Sequence, residues 1–384
     1  MSQLLRALPV ATGPAVLELL PTLAEALAGG GPAWLPVPAD DAPETERLME
    51  ALAVDEPIED DVALVMATSG STGTPKGALL SASALRSSGE ATHTYLGGAG
   101  SWLLALGADH VAGMQVLLRS VLAGTEPTVL NAGFRPCELA DAIAAMPARR
   151  RYTSLVPTQL IRALEHPEAT AALASLDAVL LGGAATPPAL HARAQQAGIH
   201  VVRTYGMSET CGGCVYDGMP LDGVQVRLDD GRVLLGGATV ASGYRNQREH
   251  AAFAERGWFR TDDAGMLADG VLSVLGRLDD AITTGGLTVL PQVVEAALAT
   301  HPGVRECAVI GVADEQWGQR VVAVIVPGVP VPTLAELRHH VSTIAGTAAA
   351  PKQLHVIDIL PLRGPGKIDR RAVAQIVGAA TLST

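Results

Sequence analysis

The segment TSGSTGTPKG, Thr68 to Gly77, concentrates residue types that hold an oxyanion. Its hydroxyls and glycine N–H groups can wrap a polyphosphate, and Lys76 can neutralise the charge. The spacing is not that of a Walker A loop, because Pro75 precedes the lysine and Gly77 follows it. A Ser/Gly-rich surface loop would have the same composition, but this one directly follows the apolar run VALVMA, residues 62–67. Lysine is also scarce. Only Lys76, Lys352 and Lys367 occur among the 27 Lys and Arg residues, as a codon bias toward Arg and Ala would produce. Against that background a lysine marks a place where a compact point charge serves and a planar guanidinium does not. Two of the three sit in glycine-rich loops.

Three further segments carry chemistry. In YGMSET, Tyr205 to Thr210, Tyr205 can stack on a base and Thr210 can bond a phosphate. Glu209 can hold Mg²⁺, which takes oxygen ligands and bridges phosphates. An ordinary strand-end turn is the alternative for this hexamer. GWFRTDDAG leads on to GRLDDAITTGG, where Asp263, assisted by Arg277, is placed to read ribose hydroxyls, or else the acidic pairs line a solvated loop. GPGKIDRR, Gly364 to Arg371, presents Lys367 in a Gly/Pro loop or forms a basic tail. Cys211 and Cys214 make a lone C-x-x-C; a zinc site needs four ligands, so buried or pocket-lining thiols are expected. The run Arg149 to Arg151 can meet phosphates or complement a helix end.

The elements that must position these residues follow from the patterning. VALVMA, SWLLALG, EPTVLNA, YTSLVP, DAVLLGG and GIHVVRT predict short buried strands, with AGMQVLLRSVLAG a helix between two of them. That alternation predicts an α/β layered domain. Residues 1–60 read as Ala/Leu-rich helical stretches broken by Pro and Gly, and Ala78 to Tyr95 as a helix entered from the phosphate loop. Strand, glycine-rich loop and helix is the layout that points backbone N–H groups at an anion. VQVRL and RVLLGG predict antiparallel hairpins. From Gly276 a small α+β unit begins: strand, helix from Pro291, strands ECAVIGV and RVVAVIV, helix from Thr333, strand QLHVIDIL. The expected fold class is α/β, a large layered N-terminal domain of sheets and helices plus a small mobile α+β C-terminal domain.

The 384 residues are 48% hydrophobic and 17% charged, enough to build a core. The net charge of −12 lacks the basic field of a general nucleic-acid binder, so an anionic ligand must be held by local geometry. Four cysteines make a disulfide scaffold unexpected. No apolar run reaches the roughly 18 residues of a membrane span, and the N-terminus, broken by Pro9 and Pro14, does not read as a signal peptide. A cytoplasmic protein is expected.

In their order, the four motifs resemble those of the adenylate-forming superfamily, which includes acyl-CoA synthetases, adenylation domains and luciferases. The resemblance spans residues 60–375 and implies a large domain that binds ATP and acid and a small domain that swings about a hinge. Residue by residue, it implies that Thr68, Ser69, Gly70, Ser71, Thr72, Gly73, Thr74 and Lys76 hold the β- and γ-phosphates. Gly183 and Ala184 line the adenine pocket, Tyr205 stacks on the ring, and Gly206, Met207 and Ser208 complete that nucleotide-binding turn. Glu209 binds Mg²⁺, Thr210 the α-phosphate, and Asp263 with Arg277 the ribose. Asp279 is the hinge, Lys367 reaches the α-phosphate during adenylation and then leaves, and His110 stands at the mouth of the acyl pocket. The implied boundaries are 1–277 for the ATP- and acid-binding domain, 278–281 for the hinge and 282–384 for the mobile domain.

The chain departs from the family's pattern at Asp262 (usually Gly), Thr283 (often Lys) and Val293 (usually Glu). The stretch before the phosphate loop is shorter than in most members, which implies a compact acid. YTSLVPTQL and VLLGGAATP look most like the o-succinylbenzoate–CoA ligases of menaquinone synthesis. The implied reaction is two-step. A carboxylate attacks ATP to give acyl-AMP and pyrophosphate, and CoA thiol then displaces AMP, with CoA a co-substrate and Arg162 a candidate for the acid's second carboxylate. A surface helix arginine is the other reading of Arg162. Loading of a carrier-protein thiol, another aryl or short acyl-CoA synthetase, and a silent nucleotide-binding protein remain alternatives. The implied partners are a small carboxylic acid and CoA, with no nucleic acid, no membrane span, and a homodimer as a candidate assembly.

Overall fold

Short apolar runs become strands here, and the faces that are covered decide what each strand looks like in sequence. The structure, a computed structural model, describes residues 3–68, 74–131, 133–147, 150–363 and 367–381. Contacts divide the chain into two compact units. The first comprises Met1–Arg227, Leu234–Thr261 and Ala268–Leu272, and the second Leu228–Val233, Asp262–Leu267 and Ser273–Thr384.

The first unit opens with a four-stranded sheet, β1 (Leu5–Val10), β2 (Ala33–Pro38), β3 (Val62–Thr68) and β4 (Lys76–Ser81), in that spatial order. β1, β2 and β3 are parallel and β4 returns antiparallel to β3. Helices α1 (Leu20–Leu27) and α2 (Ala42–Ala51) connect the parallel strands, and α3 (Ala82–Tyr95) follows β4 directly. Ser81 makes that junction: it ends the strand, and its hydroxyl accepts from Ala84 N at 3.1 Å, capping the helix.

Two expectations change here. LRALPV and AWLPVP, within the stretch read as helical, are strands, because pairing with β3 outweighs local Ala/Leu propensity. The helix expected from Ala78 begins at Ala82, because Gly77 to Leu80 is buried as a strand. An apolar run this short does not reveal its own period. Lys76 therefore opens a strand rather than a helix, and Thr68 and Lys76 are direct cross-strand partners.

The second sheet of this unit has the order β11-β10-β9-β8-β7-β5-β6. Its strands are β5 (Ser101–Leu104), β6 (Thr128–Val129), β7 (Arg151–Leu155), β8 (Ala178–Leu181), β9 (Val201–Met207), β10 (Gly212–Tyr216) and β11 (Met219–Pro220). β6, β5, β7, β8 and β9 run parallel, while β10 is antiparallel to β9. Helices α4 (Val111–Ala123), α5 (Pro136–Ala145), α6 (Pro157–Leu164), α7 (Pro167–Ala174) and α8 (Pro188–Gln196) alternate with the strands. Every residue of β5 and of β8 is buried, as both-face coverage requires, which is why SWLL and AVLL are unbroken rather than alternating apolar runs.

A third sheet carries β12 (Val224–Asp229), β13 (Arg232–Gly237), β14 (Trp258–Ala268) and β15 (Val271–Arg277) in sequence order. In the second unit β16 (Ile282–Thr284), β17 (Leu287–Val289), β18 (Val304–Asp314) and β19 (Gly318–Pro327) form a sheet of order β17-β16-β19-β18, with β20 (Gln353–Val356) beside β19. Alternate residues of β19 feed two cores. Val321, Ala323 and Ile325 pack with α9 (Pro291–Leu298) and α10 (Leu334–Ala345), while Val322, Val324 and Val326 pack with Val373 and Val377 of α11 (Arg370–Thr381). β21 (Leu362–Arg363) pairs with β22 (Lys367–Ile368). No described helix is long and apolar enough to cross a membrane.

Candidate active site

Parallel strands present their C-terminal ends along one rim, where α/β sheets receive ligands. His110 follows β5 as the N-cap of α4, with its side chain 66% exposed and Nε2 at 3.6 Å from Asp109. Gly183 and Ala184 follow β8 and are exposed, with Gly183 at φ +79°. Tyr205, Gly206 and Met207 end β9, partly buried. A Cβ on Gly206 would stand 2.0 Å from the Gly212 carbonyl oxygen, so the crossing from β9 to β10 needs glycine. Ser208, Glu209 and Thr210 make one 3₁₀ turn between those strands. The Thr210 hydroxyl accepts from Met207 N at 3.0 Å and donates to Gly212 O at 2.8 Å, so it shapes the turn that carries Glu209. Cys211 and Cys214 are fully buried, and burial pushes the Cys214 thiol up to about 12, as inert thiols behave.

The phosphate-loop lysine and the Glu209 turn meet through a third segment. Ser69, Gly70, Ser71, Thr72 and Gly73 lie outside the described residues; Thr68 is partly buried and Thr74 exposed. Lys76 Nζ lies 3.0 Å from His250 Nε2 and 5.1 Å from the centre of the Tyr244 ring. The Tyr244 hydroxyl donates to Glu209 Oε1 at 2.6 Å, and Glu209 is buried. A cation and a carboxylate from distant parts of the sequence are thus linked by one tyrosine.

In the second unit, Arg277 forms a two-pronged pair with Asp279, Nε to Oδ1 at 2.8 Å and Nη2 to Oδ2 at 2.6 Å. Its Nη1 lies 3.6 Å from buried Asp263. The hydrogen bond with Asp279 holds Arg277 well above the usual arginine range despite burial. Burial works to raise the Asp279 carboxyl, but the Arg277 hydrogen bond and charge outweigh it and keep it low. Asp262, the residue departing from the usual glycine, accepts from Arg232 Nη1 at 2.9 Å and stands 3.7 Å from Arg277. Lys367 opens β22, its backbone paired with Arg363. Three residues on, Arg370 binds both oxygens of Glu295 at 2.6 and 3.0 Å and Asp280 at 3.0 Å. Glu295 thus supplies a carboxylate two positions beyond Val293.

The sequence reading passed over Arg119. It sits mid-way along apolar α4 and is 3% exposed. Nη2 donates to the Tyr216 hydroxyl at 3.3 Å, and the guanidinium lies 5.1 Å from the Trp102 ring centre. Nε has no hydrogen-bond partner and the side chain makes no ion pair among the described residues. Burial works against its charge and lowers its pKa. Tyr216 is held by Thr92 at 3.0 Å, whose hydroxyl donates to Ser88 O at 2.9 Å. The sequence signal was available: Gln115 and Arg119 are large polar residues four apart in a helix whose only other polar side chain is Ser120. Arg162, by contrast, is exposed and stacks on Phe134 at 5.5 Å.

Known proteins resemble the chain along nearly its whole length. The AMP-binding enzyme family matches residues 15–244, and the AMP-binding enzyme C-terminal domain matches residues 293–367. A probable 2-succinylbenzoate–CoA ligase of Mycobacterium tuberculosis (strain H37Rv) is 57% identical over 379 residues, covering 97% of this chain and 98% of that protein. The 2-succinylbenzoate–CoA ligase of Escherichia coli K12 is 36% identical over 269 residues, covering 67% of this chain and 57% of that protein. Among solved structures, o-succinylbenzoate CoA synthetase (MenE) from Bacillus subtilis, in complex with the acyl-adenylate intermediate OSB-AMP, superposes with a TM-score of 0.76 at 26% identity, covering 96% of this chain and 87% of that chain. ATP-bound MatB from Rhodopseudomonas palustris, at TM-score 0.82 and 23% identity over 98% of this chain and 89% of its own, shares the fold.

Proposed function

Because the chain belongs to the AMP-binding enzyme family, we propose that it is an AMP-forming 2-succinylbenzoate–CoA ligase and that its buried arginine reads the second carboxylate of the acid. The reaction has two halves. One carboxylate of the acid attacks the α-phosphorus of ATP and pyrophosphate leaves. The CoA thiol then attacks the acyl carbon of the acyl-AMP and AMP leaves. The protein's contribution is positioning and charge stabilisation.

The observation that carries the substrate is Arg119. An unpaired buried charge costs several kcal/mol, roughly, and a carboxylate brought by the substrate offsets that cost. The hydrogen-bonded line from Arg119 through Tyr216 and Thr92 to the Ser88 carbonyl holds the guanidinium for it. Exposed Arg162 has no such desolvation to offset, so the second carboxylate is assigned to Arg119 in its place.

The remaining roles follow the family pattern. Residues 68–74 and Lys76 hold the β- and γ-phosphates, Gly183, Ala184 and Tyr205 to Ser208 the adenine side, and Thr210 the turn toward the α-phosphate. Asp263 and Arg277 take the ribose, and His110 the mouth of the acyl pocket. Residues 1–277 bind ATP and acid, residues 278–281 with Asp279 form the hinge, and residues 282–384 move, bringing Lys367 to the adenylation step only. The protein is assigned to the cytoplasm, with a homodimer as its candidate assembly.

Glu209 fits Mg²⁺: it is a buried oxygen donor, and among the described residues no group of three or more His, Cys, Asp or Glu side chains gathers as a dedicated cage. A single carboxylate suits a hard cation completed by phosphate oxygens and water. Bound there, the ion would neutralise phosphate charge, while Tyr244 orients the Glu209 carboxylate.

The test is AMP and pyrophosphate release with 2-succinylbenzoate, with and without CoA. Turnover to thioester that needs free CoA supports the ligase. Acyl-AMP that accumulates regardless of CoA points to a carrier-protein thiol as the acceptor, and no AMP at all removes the catalytic reading.

A further inference from the structure

Helix α4 carries His110 at its N-cap and, one turn before Arg119, the buried Gln115. Gln115 Nε2 donates to the Cys211 carbonyl oxygen at 2.7 Å. A carbonyl only accepts, so the amide is oriented with Nε2 toward Cys211 and Oε1 away from it. Cys211 closes the Ser208–Thr210 turn: its N donates to Ser208 O at 3.2 Å, and its backbone is left-handed, at φ +55°. That conformation is uncommon outside glycine and persists where the surroundings hold it. Here the same carbonyl oxygen is gripped a second time from α3, by the Ser88 hydroxyl at 3.2 Å.

Ser88 also belongs to the line that holds Arg119. Its backbone oxygen accepts from Thr92, Thr92 meets Tyr216, and the Tyr216 hydroxyl accepts from Arg119. The polar groups around Arg119 thus form one circuit, from Arg119 through α3 to Cys211 and back to α4 at Gln115. Stability does not explain the amide in that circuit. Gln115 Oε1 is buried without a hydrogen-bond partner among the described residues, and one stranded buried acceptor offsets what one hydrogen bond contributes. An apolar side chain of the same length would fill this helix face without that cost. What the amide does, and an apolar side chain cannot, is fix the Cys211 carbonyl at one place beside α4.

We propose that Gln115 is a positioning residue for the adenylation half-reaction: by clamping Cys211 it sets the turn that carries Glu209 and Thr210 in fixed register with Arg119, so that the site reads the distance between the acid's two carboxylates. This rests on the ligase reading above and deepens it. Arg119 recognises that a second carboxylate is present, and Gln115 makes the site sensitive to how far it lies from the reacting one. An acid of the right span has its reactive carboxylate in line with the α-phosphorus. One a methylene longer or shorter meets the same arginine but presents its carboxylate in the wrong place.

The test compares the full wild-type chain with Gln115→Met, which keeps length and burial and removes both amide atoms. Pyrophosphate release reports acyl-AMP formation with 2-succinylbenzoate and with homologues whose succinyl chain is one methylene shorter or longer. Calorimetric titration reports affinity for the diacid. The expected result is that Gln115→Met binds 2-succinylbenzoate within about twofold of wild type, because Arg119 is intact, while acyl-AMP formation slows about tenfold or more and preference over the two homologues shrinks by a similar factor. Ser88 still bonds the Cys211 carbonyl in this variant, so its thermal midpoint should match wild type. Adding Ser88→Ala removes both donors from one carbonyl, and the double variant should lose more than the product of the two single losses. Unchanged acyl-AMP formation in Gln115→Met overturns the proposal. So does an equal loss with all three acids, which marks a residue that only supports the fold, and so do single losses that merely multiply. A wild-type chain that releases no pyrophosphate with any acid overturns the ligase reading and this proposal with it, and shows before any substitution is made.

Discussion

At the scale of single residues, the chemistry is a matter of which charges are buried and what faces them. Glu209 is buried and accepts from the Tyr244 hydroxyl, whose ring also faces Lys76. Glu209→Gln keeps the size and the tyrosine contact but removes the charge a hard cation prefers. Adenylation is expected to fall sharply, and a Mg²⁺ titration of the rate should shift to higher concentration with partial recovery. A titration curve identical to wild type would take Glu209 out of the metal site. The motif residues stand out in the sequence because their types are specific and lysine is rare in this chain. Arg119 does not, because a sequence shows a charge in an apolar helix without showing whether anything pairs it. The contact between Lys76 and His250, 174 positions apart, was beyond local pattern altogether.

At the scale of elements, most of the α/β alternation and, in the second unit, α9, β18, β19, α10 and β20 follow from periodicity, whereas α11 begins where GPGKIDRR offers only a loop or a basic tail. The two failures in the first unit have one cause. Runs such as LRALPV and GALL are too short to show a period, and pairing partners decided them. At β4 this places Lys76 on a strand and not at a helix N-terminus. The turn from β9 into β10 has its own test. Gly206→Ala forces a Cβ to within 2.0 Å of the Gly212 carbonyl, so the turn carrying Glu209 must shift. Loss of about 1–3 kcal/mol is expected in chemical denaturation, with adenylation falling further than stability. Full activity in Gly206→Ala would show that the turn tolerates displacement. The Arg277–Asp279 pair behaves differently. Asp279 is held low by Arg277, so its contribution is present above the unfolded carboxylate value near 4 and is lost as pH falls below it. With side chains 41% and 35% exposed, the pair is screened and its effect small. The gap in thermal midpoint between wild type and Asp279→Asn should therefore be present at neutral pH and close on acidification; a gap independent of pH would mean the aspartate acts by shape alone.

At the scale of the whole molecule, the proposed division into a binding domain, residues 1–277, and a mobile domain, residues 282–384, predicts that the two half-reactions can be separated. Lys367→Ala is expected to lose on the order of 10²–10³ in the rate of acyl-AMP formation, as when one pre-aimed charge is removed. Thioester formation from pre-made acyl-AMP should be nearly untouched, and equal damage to both halves would refute the assignment. The expectation of such a division comes from the position of GPGKIDRR near the C-terminus, far in sequence from TSGSTGTPKG.

The central claim, that this fold ligates a diacid whose second carboxylate meets Arg119, is tested most directly by kcat/KM for 2-succinylbenzoate and for its mono-acid analogues, in wild type and in Arg119→Gln. A site built around a buried polar partner rejects analogues that leave it unpaired, by as much as roughly 10⁴-fold. The expected result is strong preference for the diacid in wild type and collapse of that preference in Arg119→Gln, chiefly through a higher KM for the diacid. Preference for benzoate or a fatty acid in wild type, or discrimination that survives in Arg119→Gln, would contradict it.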